Sequence, residues 1–272
     1  MSESDSSSRR GAANRALARF ALRDLRGGLR FYGVFIACLV LGVMAIVGVD
    51  ATSRAFREGL AQQGAVLLGG DLAFGRALGV PAEKEKAFLA ARGRVGEVLS
   101  LRAMARRADA PASTLVEMKA VDSSYPLAGA VRTDPPLGAG RPFYDALALK
   151  DGAYGLFADP ALGARLNVKI GDRLEIGAVQ FALVGWLAGE PDSIGAIGFG
   201  SHVIVSDRAL AETGLIVPGS LARLSLRLLL PPEASSDADV AAAQKAFTEA
   251  FPESGFEIRS RAEPSPQLSR NV

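Results

Sequence analysis

The sequence is poor in the residues that carry covalent and metal chemistry. Among 272 residues there is one cysteine, Cys38, and one histidine, His202. Cys38 lies inside an apolar run, so the rest of the chain has neither disulfides nor thiolate chemistry. One histidine without cysteines leaves no zinc-ligand cluster. No glycine is followed by lysine, which excludes the G-x-x-x-x-G-K-[ST] phosphate loop of a nucleotide-hydrolysing domain. No serine has glycine both two residues before and two after it, so the nucleophile elbow of the α/β hydrolases is missing as well. A Ser-His-Asp arrangement would have to recruit His202, which sits in an alternating segment and is expected to be an ordinary strand residue. No catalytic, cofactor-binding or metal-binding residue is predicted, and the chain is not expected to be an enzyme. Net charge is also scarce, at +2, but unevenly placed. Residues 1–30 hold seven arginines against Glu3, Asp5 and Asp24, for +4, which leaves −2 for the remainder. The basic excess precedes an apolar run and does not spread over a folded surface, so nucleic acid is not an expected partner.

What is present first is FYGVFIACLVLGVMAIVGV, residues 31–49, without a charge. A helix of that length rises roughly 28 Å at about 1.5 Å per residue, close to the roughly 30 Å of a bilayer hydrocarbon core. Arginines precede it and Asp50 follows it, so the positive-inside bias predicts a cytoplasmic N-terminus and an extracytoplasmic remainder. A cleaved signal peptide has a shorter apolar region, about 7–15 residues, and here the helical pattern continues past a potential cut after Ala51. A lipidated cysteine would follow the apolar run, whereas eleven apolar residues follow Cys38. Ahead of the run, residues 16–26 place Leu17, Phe20 and Leu25 near one helical face and Arg19, Arg23 and Arg26 on the other, the pattern of a helix lying on the inner membrane surface. Residues 1–11 read as a disordered tail.

Beyond residue 66 the patterns predict a turn and strand over 67–77, then a helix from Pro81 to Gly93 that buries Phe88 and Leu89. Strands at 98–107 and 113–122 form a hairpin in which Val116, Met118 and Ala120 alternate with Leu115, Glu117 and Lys119. Asp159 to Leu166 suggests one or two helical turns, and 171–177 with 179–185 a hairpin around a Gly-Ala turn. Strands follow at 202–206 and 222–230, then a helix over 237–250 with Val240, Ala243 and Phe247 at helical spacing, then a strand at 256–260. The expected fold is α+β with a β-rich insertion at about 140–200. Glu190 and Asp192, in Gly-Glu-Pro-Asp-Ser, have the residue types of an acid/base pair, but nothing nearby would keep one protonated. The reading favoured is a polar turn fixed by Pro191 and capped by Asp192. Gly195 to Gly200 resembles a phosphate cradle only by glycine count, and a mobile loop is expected there.

Taken in order, the basic amphipathic start, the single span, Gly69-Gly70-Asp71-Leu72, Val121 to Leu127, Gly171-Asp172, Phe181 to Gly185, Glu190-Pro191-Asp192 and Thr213 to Ser220 resemble the first third of FtsX/MacB-like ABC transporter permeases. The branch they resemble is that of the large two-half permeases predicted to work with a lipoprotein-release-type ATPase. The resemblance runs from about residue 14 to the end of the chain. It implies residues 1–30 as a basic cytoplasmic segment, 31–50 as a transmembrane helix, and 51–272 as a MacB-like extracytoplasmic domain of mixed α/β and β-rich parts. It implies location in the inner membrane, a separate cytoplasmic ABC ATPase and the lipid bilayer as partners, and an extracytoplasmic protein or lipid-like substrate as a further one. The permease itself would carry no covalent chemistry. Residues 265–272 would lead into a second membrane helix, so the chain is expected to be either a fragment of a longer permease or a truncated product that cannot transport alone. The alternative is a single-pass anchored extracytoplasmic binding or assembly module.

Overall fold

The structure is a computed structural model that describes residues 33, 35–44, 46–48, 63–77, 82–138, 142–192, 201–217 and 219–262. Two units separate, Met1–Gly59 and Leu60–Val272. In the first, the described residues of the apolar run are helical and all are exposed, including Phe35, Leu41, Met44 and Ile46. No described helix is long and apolar enough to cross a membrane. The expected span, 31–49, includes residues outside the described ones, as do the expected surface helix at 16–26, Pro81 and the glycine-rich 195–200.

The second unit begins its sheet with β1 (Leu72–Ala77), crosses through α1 (Glu83–Ala90) and returns in β2 (Arg94–Arg107). The last three elements of the chain repeat the pattern, and they are numbered below in chain order with the strands and helices that intervene. β10 (Ala222–Leu229) leads through α4 (Asp237–Ala250) to β11 (Glu257–Ser260). The four strands lie in the order β11-β1-β10-β2, all neighbours antiparallel, so each helix joins two parallel strands with a third between them. This is the split β-α-β arrangement of ferredoxin-like folds. Alternation decides which face the helices cover. Leu72 and Phe74 of β1 and Leu224, Leu226 and Leu228 of β10 pack with Leu89 of α1 and Val240 and Phe247 of α4. The intervening Ala73, Gly75, Arg223, Ser225 and Arg227 face the other way. Ser236 caps α4 by accepting from the Asp239 N–H, while Asp239 accepts from the Ser236 N–H, so both ends of the capping box are made.

A closed barrel is inserted between β2 and β10. The long hairpin of β2 and β3 (Ser113–Val121) pairs onward, in parallel, with β9 (Ser201–Ser206). β9 pairs with β6 (Ala153–Ala158), β6 in parallel with β8 (Val179–Gly189), β8 with β7 (Arg173–Ile176), and β7 closes the ring on the far end of β2. Closure leaves these strands no exposed edge. Short strands β4 (Arg132–Asp134) and β5 (Leu149–Lys150) hang on β8 and β6. The interior is filled by Ala105, Val116, Met118, Leu156, Leu174, Ile176, Phe181, Val203 and their neighbours, so this is a packed core and not a channel. α2 (Pro160–Leu166), capped by Asp159, and α3 (Asp207–Glu212), capped by Ser206, add Leu162, Leu166 and Leu210 to it. Gly177 forms the two-residue β7–β8 turn at φ +61, and a Cβ there would stand 2.4 Å from the Thr213 carbonyl oxygen.

The described part of the segment 122–148, residues 122–138 and 142–148, lies over the outside of the barrel, where Tyr125, Phe143, Ala146 and Leu147 pack on Val98, Val121, Phe157 and Ile204. It buries positions that strand alternation alone would leave facing solvent. In the other half, Phe247 is fully buried with its ring centroid 4.6 Å from Phe74 and 5.1 Å from Phe251. Phe247→Ala is expected to lower unfolding free energy by about 3–5 kcal/mol through the cavity it leaves, measured by urea unfolding of the full chain.

Candidate functional site

Helical residues 63–68 deliver the chain to the sheet and end at Gly69, whose φ of +80 only glycine adopts cheaply. A Cβ on Gly69 would stand 2.7 Å from the Asp192 Cβ, so the turn also needs glycine for space. Asp71 follows, 2% exposed. One of its oxygens accepts from the Leu230 N–H at 2.9 Å, and the other pairs with Arg261 at 2.7 Å. Arg261, just past β11, also donates to the Ser235 carbonyl and to Asp237 at 2.9 Å. Its backbone N–H donates to the Asp71 carbonyl at 2.9 Å. A Cβ on Gly64 would stand 2.2 Å from the Arg261 carbonyl oxygen, so the entering helix and residue 261 approach closely. The segment that enters the domain and the strand that leaves it are therefore held against each other by one buried ion pair. Burial works against the Arg261 guanidinium, but Asp237 and Asp71 outweigh it and hold its pKa above the ordinary value.

A second tie lies one strand spacing away. Asp192, 7% exposed and at φ +54, donates its N–H to the Val66 carbonyl at 2.9 Å. Its carboxylate accepts from Lys119 Nζ at 2.6 Å and Tyr125 Oη at 3.0 Å, and faces Arg227 at 3.5 Å. Lys119 donates also to Glu190 at 3.2 Å, and Glu190 pairs with His202 Nδ1 at 3.0 Å. Arg227 in turn donates to the Leu68 carbonyl. Burial raises the Tyr125 pKa well beyond its usual range and, with Asp192 and Glu190 close by, keeps the phenol protonated as a donor. Burial lowers the Arg227 pKa against the pull of Asp192. For Glu190, burial pushes upward, but the hydrogen bond from His202 and the charge of Lys119 win, so its carboxyl sits below the usual range.

Glu190 and Asp192 thus stand in a turn that is closed off from solvent. They are the buried acidic half of an ion network. His202 is a strand residue, as expected, and in addition a member of that network. Lys119, Arg227 and Arg261 were not singled out by sequence reasoning, because nothing local distinguishes a strand lysine facing solvent from one roofed by a distant loop. Three stretches that carry the family resemblance meet here: Gly69-Gly70-Asp71, Glu190-Pro191-Asp192, and Asp122 to Tyr125, where Asp122 accepts from the Glu97 N–H at 2.6 Å. Among the described residues no group of three His, Cys, Asp or Glu side chains is placed to hold a metal ion.

Because the Glu190 carboxyl is held below its unfolded pKa of about 4.3, its stabilising contribution is present above that pH and is lost as pH falls through the folded value. Glu190→Gln is expected to be less stable than the parent at neutral pH and to lose less stability between about pH 5 and 3, read from urea midpoints across that range.

Over 187 residues the sequence is 31% identical to the uncharacterized ABC transporter permease YbbP of Escherichia coli (strain K12). The chain is a relative of the ABC transporter permeases. The match covers 67% of this chain but 21% of YbbP, so the chain spans about a fifth of that permease's length. No protein-family model matches it. Among solved structures, the periplasmic region of MacB from Actinobacillus actinomycetemcomitans is similar with a TM-score of 0.48 at 9% identity, covering 76% of this chain and 96% of that one. The extracellular domain of the noncanonic ABC-type transporter YknZ from Gram-positive bacteria is similar with a TM-score of 0.43 at 11% identity, covering 70% and 100%. At such scores the structural likenesses add no weight to the sequence relationship.

Proposed function

We propose that this permease-like chain supplies the first membrane helix and first extracytoplasmic domain of an ABC permease, coupled to ATP hydrolysis by a separate cytoplasmic subunit. The sequence relationship to YbbP carries this reading. Two physical observations support it. The run at 31–49 is apolar all round and its described residues are helical and exposed, which suits lipid and not water. Asp71 and Arg261, near the two ends of the folded domain, are joined by a buried ion pair and a backbone hydrogen bond. A domain that must move with a membrane helix needs such a rigid base, because force applied at a loose tether would be lost in local unfolding. The function is export of an extracytoplasmic or lipid-like cargo, or transmission of motion across the membrane. The N-terminus is cytoplasmic and everything after Asp50 is outside.

Topology gives the direct test. In a Cys38→Ser background, a cysteine at Glu253, on the exposed turn after α4, is expected to react with a membrane-impermeant maleimide in spheroplasts, and one at Ser7 only after lysis. Labelling of both, or of neither, in intact spheroplasts would overturn the single N-in span.

A further inference from the structure

The face of the ferredoxin-like sheet turned away from the helices bears a cleft of about 180 Å³. Its floor is made by the small residues of β1. Ala73 lies in register between Arg227 of β10 and Arg259 of β11, and Gly75 between Ser225 and Glu257. Arg223 stands two residues along β10 from Ser225, on the same face. Three arginines therefore border a floor whose own side chains are too small to fill the space, and Arg223 and Arg259 both disfavour the charge on Arg227.

The acceptors on this cleft are already occupied. Glu257 takes Arg223 Nη2 at 3.1 Å on one oxygen and Arg259 Nε and Nη2 on the other. Both oxygens of Asp192 and both of Glu190 are held by Lys119, Tyr125, Arg227 and His202. Glu117, on the β3 side, is the one lining carboxylate with neither oxygen engaged among the described residues. The donors are not exhausted: Nε and Nη1 of Arg223, Nη1 of Arg259 and the hydroxyls of Ser100 and Ser225 have no acceptor among the described residues. Guanidinium groups arranged this way match tetrahedral oxyanions, which accept several N–H bonds at once.

We infer that this cleft is a binding site for a phosphate group, held by Arg223, Arg259 and Arg227 over the floor of Ala73 and Gly75. The group can be free phosphate or the phosphate of a lipid headgroup. Leu68 lines the same cleft, and Arg227 donates to its carbonyl. Occupancy therefore acts on the segment that enters the domain, since an anion drawing on Arg227 competes with its hold on Leu68 and Asp192. The site stands whether or not the domain transmits motion.

The test uses the full chain in an uncharged maltoside detergent, titrated calorimetrically with inorganic phosphate, with dihexanoyl-phosphatidylglycerol and with dihexanoyl-phosphatidylcholine. Two variants keep the outcome independent of folding. Arg223→Gln with Arg259→Gln removes charge from one exposed and one partly buried position. Gly75→Leu keeps every charge and fills the floor, where a Cβ meets nothing closer than 3.7 Å. Saturable binding of inorganic phosphate that weakens at least tenfold in both variants, with unchanged thermal midpoints, is the expected result. Equal affinity for phosphatidylglycerol points to the phosphate group alone, and markedly tighter binding of the lipid to a headgroup source. Absence of saturable binding to all three, or binding that both variants leave intact, overturns the site.

Discussion

Lys119→Met is expected to destabilise the folded domain by about 3–5 kcal/mol, because it strands buried carboxylates without their ammonium partner. Asp192 loses its 2.6 Å contact and Glu190 its 3.2 Å contact, and neither can turn to solvent, since their side chains are 1% and 11% exposed. Arg227, at 3.5 Å, is too far to replace the lysine. Methionine matches the length of the lysine stem, so the loss is one of charge and hydrogen bonds and not of volume. Pairing it with Asp192→Asn, which tolerates the left-handed backbone there, is expected to recover about 1–3 kcal/mol, the coupling typical of residues in one network. Urea unfolding of the four species in a double-mutant cycle measures it. Additive losses would mean that the network is only a set of neighbours.

Asp71→Ala is the second large effect, and its consequence is functional as well as structural. The substitution leaves the Leu230 N–H without its buried acceptor and takes the Asp71 carboxylate from Arg261, which keeps Ser235 and Asp237, at a cost of about 2–4 kcal/mol. Backbone contacts keep the strands paired, because the Asp71 N–H and carbonyl still bond Leu228 and Arg261. The domain is therefore expected to remain folded but with a loosened base. In a complete permease the expected phenotype is retained assembly with the ATPase and loss of transport or of the transmitted motion. Gly64→Val is expected to give the same phenotype by a different route, since its side chain would collide with the Arg261 carbonyl oxygen. Co-purification and cargo release, measured on the same preparations, separate assembly from coupling.

The elements that local pattern specifies were legible in the sequence. The helix at Asp237–Ala250 is bracketed by a serine cap and carries Val240 and Phe247 on one face, and the β2–β3 hairpin shows its alternation plainly. β6 was not, because AYGLFA is buried at every position and shows no alternation. α3 has six residues, too few for helical periodicity to register. Closure of the barrel rests on the parallel β3–β9 and β6–β8 pairings, which join strands far apart in the chain and leave no short-range signal. The same distance hid the ion network. Lys119 alternates outward from the barrel core as a solvent-facing lysine would, and only Tyr125 and the turn at Glu190 to Asp192, 71 residues away, bury it. The stretches that resemble permeases contain Asp71, Tyr125, Glu190 and Asp192, but no site residue was predicted from them, because the resemblance implies no chemistry in the permease.

The central claim is that residues 63–71, which lead into β1, are fixed to the rest of the folded domain and move with it as one body. Spin labels at Leu67, which is exposed, and at Glu253, on the turn after α4, report that relation in the complete permease with its ATPase. Pulsed dipolar spectroscopy is expected to give a single narrow distance that is the same in nucleotide-free and ATP-trapped states, broadening when Asp71 is replaced by alanine. A distance that shifts between the two nucleotide states in the unaltered protein would mean that the base opens during the cycle, and would contradict a rigid coupling through Asp71, Arg261 and Asp192.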